Sequence, residues 1–383
     1  MVVVFVMQRT IKIKIPFNQV LIETIQQYTL IYKTIADIGF TKKTWNKNTL
    51  HKLTYKKLRK QYPKFPSAML QTVRDVASEA LKRTKLKIKL NPKQYSSIRL
   101  DKRNLRINLI HKIISISSIE GRIKTNFNSN HQIEKYLNWN TKSANLSFRN
   151  NQLWLNLIVE KENPQLQAIN KVLGIDRGIN NIAVCSNNQF FNANHLKAIK
   201  GEYQFLKSRL QSVGTRSAKR KLKRLAGRER RFVADINHQL SKTIAQSDYT
   251  VFALEKLTKI KQNKGKRFNK KLGGWSFFEF EKFLEYKAQA LGKKLIFVNP
   301  KYTSQTCNKC GHKERTNRKG NVFKCQSCNY ETHSDLNASK NIAKLGIAEI
   351  SRLYVNQPIV AFNESNQQIT ENSYKLTNSL VSN

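Results

Sequence analysis

The sequence is short of acid. Its 383 residues include 24 Asp and Glu against 70 Lys and Arg, a formal net charge of +46. A surplus of that size repels itself unless an anion neutralises it, so the expected partner is a polyanion. Long apolar runs are also missing. The longest is the seven-residue start, Met1–Met7, far below the ~20 residues of a spanning helix. It carries neither a basic leader nor a small-residue cleavage site, so no signal peptide is expected. With no membrane segment, the charge points to nucleic acid rather than lipid. Five cysteines are too few for a disulfide scaffold. A reducing, cytoplasmic and nucleoid-associated setting is the expectation. What is present is a foldable chain. At 39% hydrophobic and 9% aromatic it is too apolar for a disordered basic tail, and its length suggests roughly two or three domains.

Periodicity organises the chain into two parts. Residues 8–15 alternate polar and apolar, the mark of a strand with one buried face. From Phe17 to about Lys87 the spacing turns helical, as in Val20–Ile38 and Ala68–Leu81, and Pro63 and Pro66 punctuate the stretch. Residues 88–160 are again strand-rich, with examples at Leu105–Ile113 and Leu153–Val159. The N-terminal part therefore reads as a small β-barrel or sheet with a helical insert. Beyond Lys171 the pattern alternates. Strands are expected at Val172–Asp176, Asn181–Cys185, Tyr249–Glu255 and Leu295–Val298. Helices are expected over 201–247, Trp275–Leu291 and Leu336–Leu345. Tyr249–Glu255 is apolar on both sides, as in a sheet covered on both faces, and the alternation argues for an α/β domain. The Asn-, Ser- and Gln-rich tail from about Val355 is expected to be disordered.

The cysteines are not scattered. Cys307-Asn-Lys-Cys310 and Cys325-Gln-Ser-Cys328 are two C-x2-C pairs with fourteen residues between them. Each pair can present two thiolates from a tight turn, and two turns complete a tetrahedron around one structural Zn²⁺. Redox dithiols are the competing reading. Lys309, Lys313, Arg315, Arg318, Lys319 and Lys324 decorate the loop and suit phosphate. Cys185, inside an apolar strand, reads as a small core residue.

Three acids stand out in a chain with few. Asp176 ends one apolar strand, Glu255 ends another, and Asp335 opens a helix. Each has a plain explanation. Asp176 can be a turn former, Glu255 can pair with Lys256 or Lys259, and Asp335 suits a helix N-terminus. Together they also suit phosphodiester hydrolysis by two Mg²⁺ ions ~4 Å apart, which needs a few carboxylates gathered at neighbouring strand ends.

These residues resemble the TnpB family, the OrfB-type proteins of insertion sequences that act as RNA-guided DNA endonucleases and look ancestral to compact type V CRISPR nucleases. Gly174-Ile-Asp-Arg-Gly178, Phe252-Ala-Leu-Glu-Lys-Leu257 and His333-Ser-Asp-Leu-Asn-Ala338 look like the three motifs of that family's split RuvC domain. Gly292–Pro300 and Tyr302–Cys307 look like its approach to a zinc ribbon. The likeness is detailed over about 171–347, weaker over 61–160 and negligible in the tail. One departure is His333, where the family's third motif commonly has the first Asp of Asp-x-Asp.

The resemblance implies an α/β plus β fold. A wedge-like β-barrel (1–16 and 86–165) would carry a helical recognition insert (17–85). An RNase H-like RuvC nuclease domain (171–304 and 331–350) would contain a zinc ribbon (305–330), and a tail (351–383) would follow. It implies that Asp176, Glu255 and Asp335 are catalytic and hold two Mg²⁺, and that Cys307, Cys310, Cys325 and Cys328 hold zinc. It implies a guide RNA and a target DNA as partners, and it raises a partner transposase from the same element.

Residues 206–231 hold eleven Lys and Arg and one acid, Glu229, whereas a solvated helix face normally mixes signs. Lys219, Arg220, Lys221, Lys223, Arg224, Arg228, Arg230 and Arg231 are the expected phosphate contacts. Lys259–Lys271 is a second basic run. A third, Lys52–Lys64, interleaves Tyr55 and Tyr62, which either stack on bases or pack. Two rival functions remain at this point: a strand-transferring transposase with the same metal chemistry, and a non-catalytic RNA-guided regulator.

Overall fold

The structure is a computed structural model and describes residues 6–169, 171–257, 265 and 277–355. The basic run Lys259–Lys271, apart from Gly265, and the tail 356–383 lie outside the described residues. The chain divides into two units, Met1–Glu162 and Asn163–Asn383. No helix among the described residues is long and apolar enough to cross a membrane.

The first unit opens with strand β1 (Val6–Ile15), whose Met7, Ile11, Ile13 and Ile15 are buried while Gln8, Thr10, Lys12 and Lys14 are exposed. That alternation is the period of two, read directly as one core face. Three helices follow: α1 (Gln19–Thr41), α2 (Lys47–Gln61) and α3 (Ser67–Thr84). Asn18 caps α1 by accepting from Leu21 N at 3.0 Å, and Asn46 caps α2 by accepting from Asn48 N at 2.9 Å. Pro63 and Pro66 fall between α2 and α3, where a proline's missing N–H costs nothing to a helix ladder.

Then come β2 (Ile98–Leu100), β3 (Leu105–Asn108), β4 (Ile113–Ser118), β5 (Gly121–Asn126), the single turn α4 (His131–Glu134), β6 (Asn140–Arg149) and β7 (Gln152–Glu162). They make a four-stranded sheet in the order β1-β7-β6-β2 and a three-stranded sheet β3-β4-β5. Asn150 and Asn151, both at positive φ (50° and 56°), join β6 to β7 in the two-residue hairpin that such residues favour. Leu105–Ile113, expected as one strand, instead spans a hairpin: β3 stops at Asn108, a turn follows, and β4 starts at Ile113. Tyr55 and Tyr62 pack against the core of this unit, and Tyr55 stacks on His51. Packing is thus the role the structure gives both.

The second unit is built on β8 (Val172–Asp176), β9 (Asn181–Cys185), β10 (Phe190–Asn192), β11 (Val251–Glu255) and β12 (Lys294–Val298), in the order β10-β9-β8-β11-β12. β11 runs parallel to β8 and β12, and β9 runs antiparallel to β8. The basic helical stretch is two helices, α5 (Asn194–Val213) and α6 (Arg216–Ala245). They part at Gly214-Thr215, where Thr215 Oγ1 accepts from Ala218 N at 3.2 Å. Helix α7 (Phe277–Ala290) and helix α8 (Ser334–Val355) complete the unit. Leu173, Ile175, Phe252 and Leu254 pack with α6 and α7 residues such as Leu240, Ile244, Phe280 and Leu284. Val251 and Ala253 face the other way, with Ile342 and Ile350 of α8. The sheet is therefore covered on both faces, which is why β11 reads as a continuous apolar run. Because Ile342, Gly346 and Ile350 repeat one helical face against the sheet, α8 continues to Val355, ten residues past the expected Leu345.

α8 lies very close to β8. A Cβ on Gly174 would sit 2.0 Å from Ser339 O and 2.4 Å from Ala343 N, both backbone atoms that cannot swing aside. Gly174→Ala is expected to cost at least about 3 kcal/mol, the upper range of overpacking. A thermal melt of the purified variant checks it, and a wild-type melting temperature would show that α8 has room to withdraw.

Candidate active site

Leu254 pairs with Ile175 across the parallel strands β11 and β8. The next residue of each strand, Glu255 and Asp176, therefore closes its strand at the same edge of the sheet. α8 begins at this edge too, and its second residue is Asp335. The three acids named from sequence come together here, at the carboxyl ends of strands, where open α/β sheets bind ligands.

Their electrostatics record the proximity. Loss of hydration and then repulsion from Glu255 and Asp335 push the Asp176 carboxyl well above the usual carboxylate range, against the pull of Arg318 and a backbone hydrogen bond from Arg177. Burial also raises Glu255, opposed by a hydrogen bond from Thr303 and by the charges of Arg177 and Arg318. A buried carboxylate repelled by two others suits a hard divalent cation, although among the described residues only the four cysteines bring three or more ligand atoms within 4.8 Å of one another.

The acids are held by residues that periodicity does not single out. Arg177, its side chain 2% exposed, donates from Nη1 to Glu281 Oε2 at 2.8 Å and from Nη2 to the Glu255 carbonyl at 2.6 Å. It ties the ends of β8 and β11 to α7. Thr303 Oγ1 donates to Glu255 Oε1 at 2.5 Å. Asp335 accepts from Asn181 Nδ2 at 3.1 Å on one oxygen and from Arg318 Nη2 at 3.2 Å on the other. Arg318, placed among the phosphate-seeking cations of the loop by its sequence context, thus has a carboxylate partner. His333 supports the helix start, because its Nδ1 accepts from Asp335 N at 3.2 Å, in the manner of an N-cap on α8. Its ring meets Phe190 edge-on at 5.2 Å.

The four cysteines of the paired motifs converge, with all Sγ atoms within 4.8 Å of one another. Cys307 and Cys328 are 3.7 Å apart, and Cys310 and Cys325 are 3.5 Å apart. Thiolates ~2.3 Å from a tetrahedral zinc lie ~3.8 Å from one another, so the cluster fits zinc, and it is too open for disulfides. Gly311 and Asn329, one after each pair, take positive φ (80° and 53°) and close the two turns. The ribbon is stiffened by the sheet β13 (Arg318–Lys319), β14 (Val322–Lys324) and β15 (Glu331–His333), with Phe323 fully buried beside Cys307 and Cys325. Cys185 is buried in β9, and burial pushes its thiol up to about 12, as suits a core residue.

All eight cations singled out on α6, from Lys219 to Arg231, are exposed. The acid among them, Glu229, is taken by Lys200 and Lys207 of α5. Among the described residues none of the eight pairs with a carboxylate.

Comparison with known proteins follows the same division. A family described as a probable transposase matches residues 156–264, which include Asp176 and Glu255. The Cas12f1-like TNB domain matches 277–342, which include the four cysteines and Asp335. The TnpB-like protein MJ0751 of Methanocaldococcus jannaschii is 35% identical over 32% of this chain and 46% of its own. Part of the chain is thus similar to a TnpB-like protein. The likeness extends to the CRISPR-associated endodeoxyribonuclease Cas12f1 of Sulfoacidibacillus thermotolerans, 31% identical over 53% of this chain and 52% of that one. The chain spans about half the length of these two curated relatives. Its fold is that of the Cas12f1 chain in a cryo-EM structure of a Cas12f1–sgRNA–target DNA complex, with a TM-score of 0.58 at 18% identity over 85% of this chain and 83% of that one.

Two outcomes follow from this geometry. An Asp raised in the folded state binds a proton that the unfolded chain has released, so without metal wild-type stability falls as pH rises from the ordinary carboxylate range near 4. Asp176→Asn removes that loss. At pH 8 without divalent metal it is expected to be more stable than wild type, and the gap should close towards pH 4. Paired melts across that range check it, and a less stable variant at pH 8 would contradict a raised Asp176 carboxyl. Stripping zinc with a chelator is expected to lower the melting temperature, since a structural zinc site holds folding free energy. An unchanged melt would count against a metal-built ribbon.

Proposed function

We propose that this TnpB-like chain is an RNA-guided DNA endonuclease that hydrolyses phosphodiesters of its target next to a short flanking motif. The observation that carries this reading is the gathering of Asp176, Glu255 and Asp335 at one sheet edge of a protein with a net charge of +46. A chain this basic has little use for a buried Asp176 repelled by Glu255 and Asp335 unless cations join them. Asp176, Glu255 and Asp335 would hold two Mg²⁺, and such a pair of ions supplies an activated water and stabilises the leaving oxygen. The remaining work belongs to the chain. Arg177 keeps the strand ends bearing Asp176 and Glu255 together. Asn181 and Arg318 fix the carboxylate of Asp335. Displacement by water needs no covalent link to the protein.

The names of the relatives support guide RNA and target DNA as partners. The eight exposed cations of α6 then hold phosphates, with the steep salt dependence such contacts bring. Specificity would come from guide pairing, the protein reading a flanking motif and the duplex backbone. In this reading the two sheets of the first unit form a wedge-like barrel with α1–α3 as its recognition insert. The five-stranded sheet is an RNase H-like RuvC domain, the zinc ribbon sits between its second and third acids, and the setting is the cytoplasm.

The test uses full-length protein produced together with its own flanking DNA, so that any guide RNA is captured. The complex is offered a plasmid library in which a target matching the bound RNA abuts randomised bases. Mg²⁺-dependent, RNase-sensitive double-strand cutting beside one motif is expected. Asp176→Ala should still bind target but lose cutting by several orders of magnitude, as catalytic residues do. Binding without cutting by the wild-type complex would make the protein a regulator. Absence of bound RNA would favour strand transfer.

A further inference from the structure

We propose that Thr303 is the positioning residue that commits one oxygen of Glu255 and leaves the other, Oε2, to bind the cation. This rests on the reading of the acids as a metal site. Thr303 is buried, and its hydroxyl has one proton to give. Two acceptors lie within reach, Glu255 Oε1 at 2.5 Å and Pro300 O at 3.1 Å. The short, charge-assisted contact to the carboxylate takes the proton. Oε2 accepts no hydrogen bond among the described residues. Glu255 is therefore left with one oxygen to offer a cation, on a side chain whose other oxygen is held by Thr303.

The backbone behind Thr303 is itself fixed. Asn341 Nδ2 donates to Thr303 O at 2.9 Å and to Thr306 O at 2.7 Å. Asn337 Nδ2 also donates to Thr306 O at 2.7 Å, and its Oδ1 accepts from Asn308 N at 3.0 Å. Asn337 and Asn341 are buried and lie one turn apart on α8, the helix that presents Asp335. One helix thus carries the third acid and registers the segment whose hydroxyl aims the second. Partners that orient a metal ligand typically matter about 10–100-fold in metal affinity.

Mn²⁺ is the probe, titrated into zinc-loaded full-length protein without nucleic acid and followed by the electron paramagnetic resonance of free Mn²⁺. Thr303→Val should bind Mn²⁺ about tenfold or more weakly, with zinc content and melting temperature at wild-type values. Thr303→Ser, which keeps the hydroxyl, should restore the affinity to within about twofold of wild type, an outcome that a purely structural role would not produce. Should Thr303→Val lose zinc, Thr303→Ala is read in its place for the same loss. Asp176→Ala is the control for the site. If it loses Mn²⁺ while both Thr303→Val and Thr303→Ala bind like wild type, the positioning role is wrong and the acid site stands. If Asp176→Ala binds Mn²⁺ like wild type, the reading of the acids is itself wrong.

Discussion

At Gly174 the backbone of α8 runs against the backbone of β8 with no side chain between them. Much of the second unit depends on that contact. It fixes how deep α8 lies on the sheet, and so the height at which Asp335 meets the ends of β8 and β11. It also explains the small residues around it. Gly346 of α8 lies against Ala253 of β11, whereas the opposite face of the same sheet is filled by bulkier Leu, Ile and Phe. A sheet with one tight face and one thick face positions a helix start more rigidly than a loop could.

The edge so defined is locally frustrated. Glu255 and Asp335 repel the buried Asp176, and arginines from different parts of the sequence offset part of that repulsion. Arg177 follows an acid directly, while Arg318 reaches in from β13, in the segment between the cysteine pairs. The ribbon is therefore more than an appendage: its second half leads through β15 into α8, and its cation pairs with the acid at the start of that helix. The cysteine cluster and the acidic edge share covalent and electrostatic connections.

Legibility in the sequence follows the range of the interactions. Strands β8 and β9 are readable to the residue, because an apolar run that stops at an acid or a turn is local information. The cysteine pairs are readable because metal geometry imposes its spacing on the chain. Length is harder. The helical period continues through Gly214, so α5 and α6 read as one element, and nothing in the period of α8 marks its end. Arg177 and Thr303 are invisible as holders of Glu255, since they lie 78 and 48 residues from it along the chain. Tyr55 and Tyr62 have two readings, and tertiary packing decides between them.

α8 works like a screw thread. Asp335, Asn337, Asn341, Gly346 and Ile350 occupy set phases of one uninterrupted helix, each engaged with a different neighbour. A residue added or removed between them turns everything before it through about 100° relative to everything after it. The stretch from Asp335 to Ile350 therefore tolerates exchange of side chains on its outer face but no change of length.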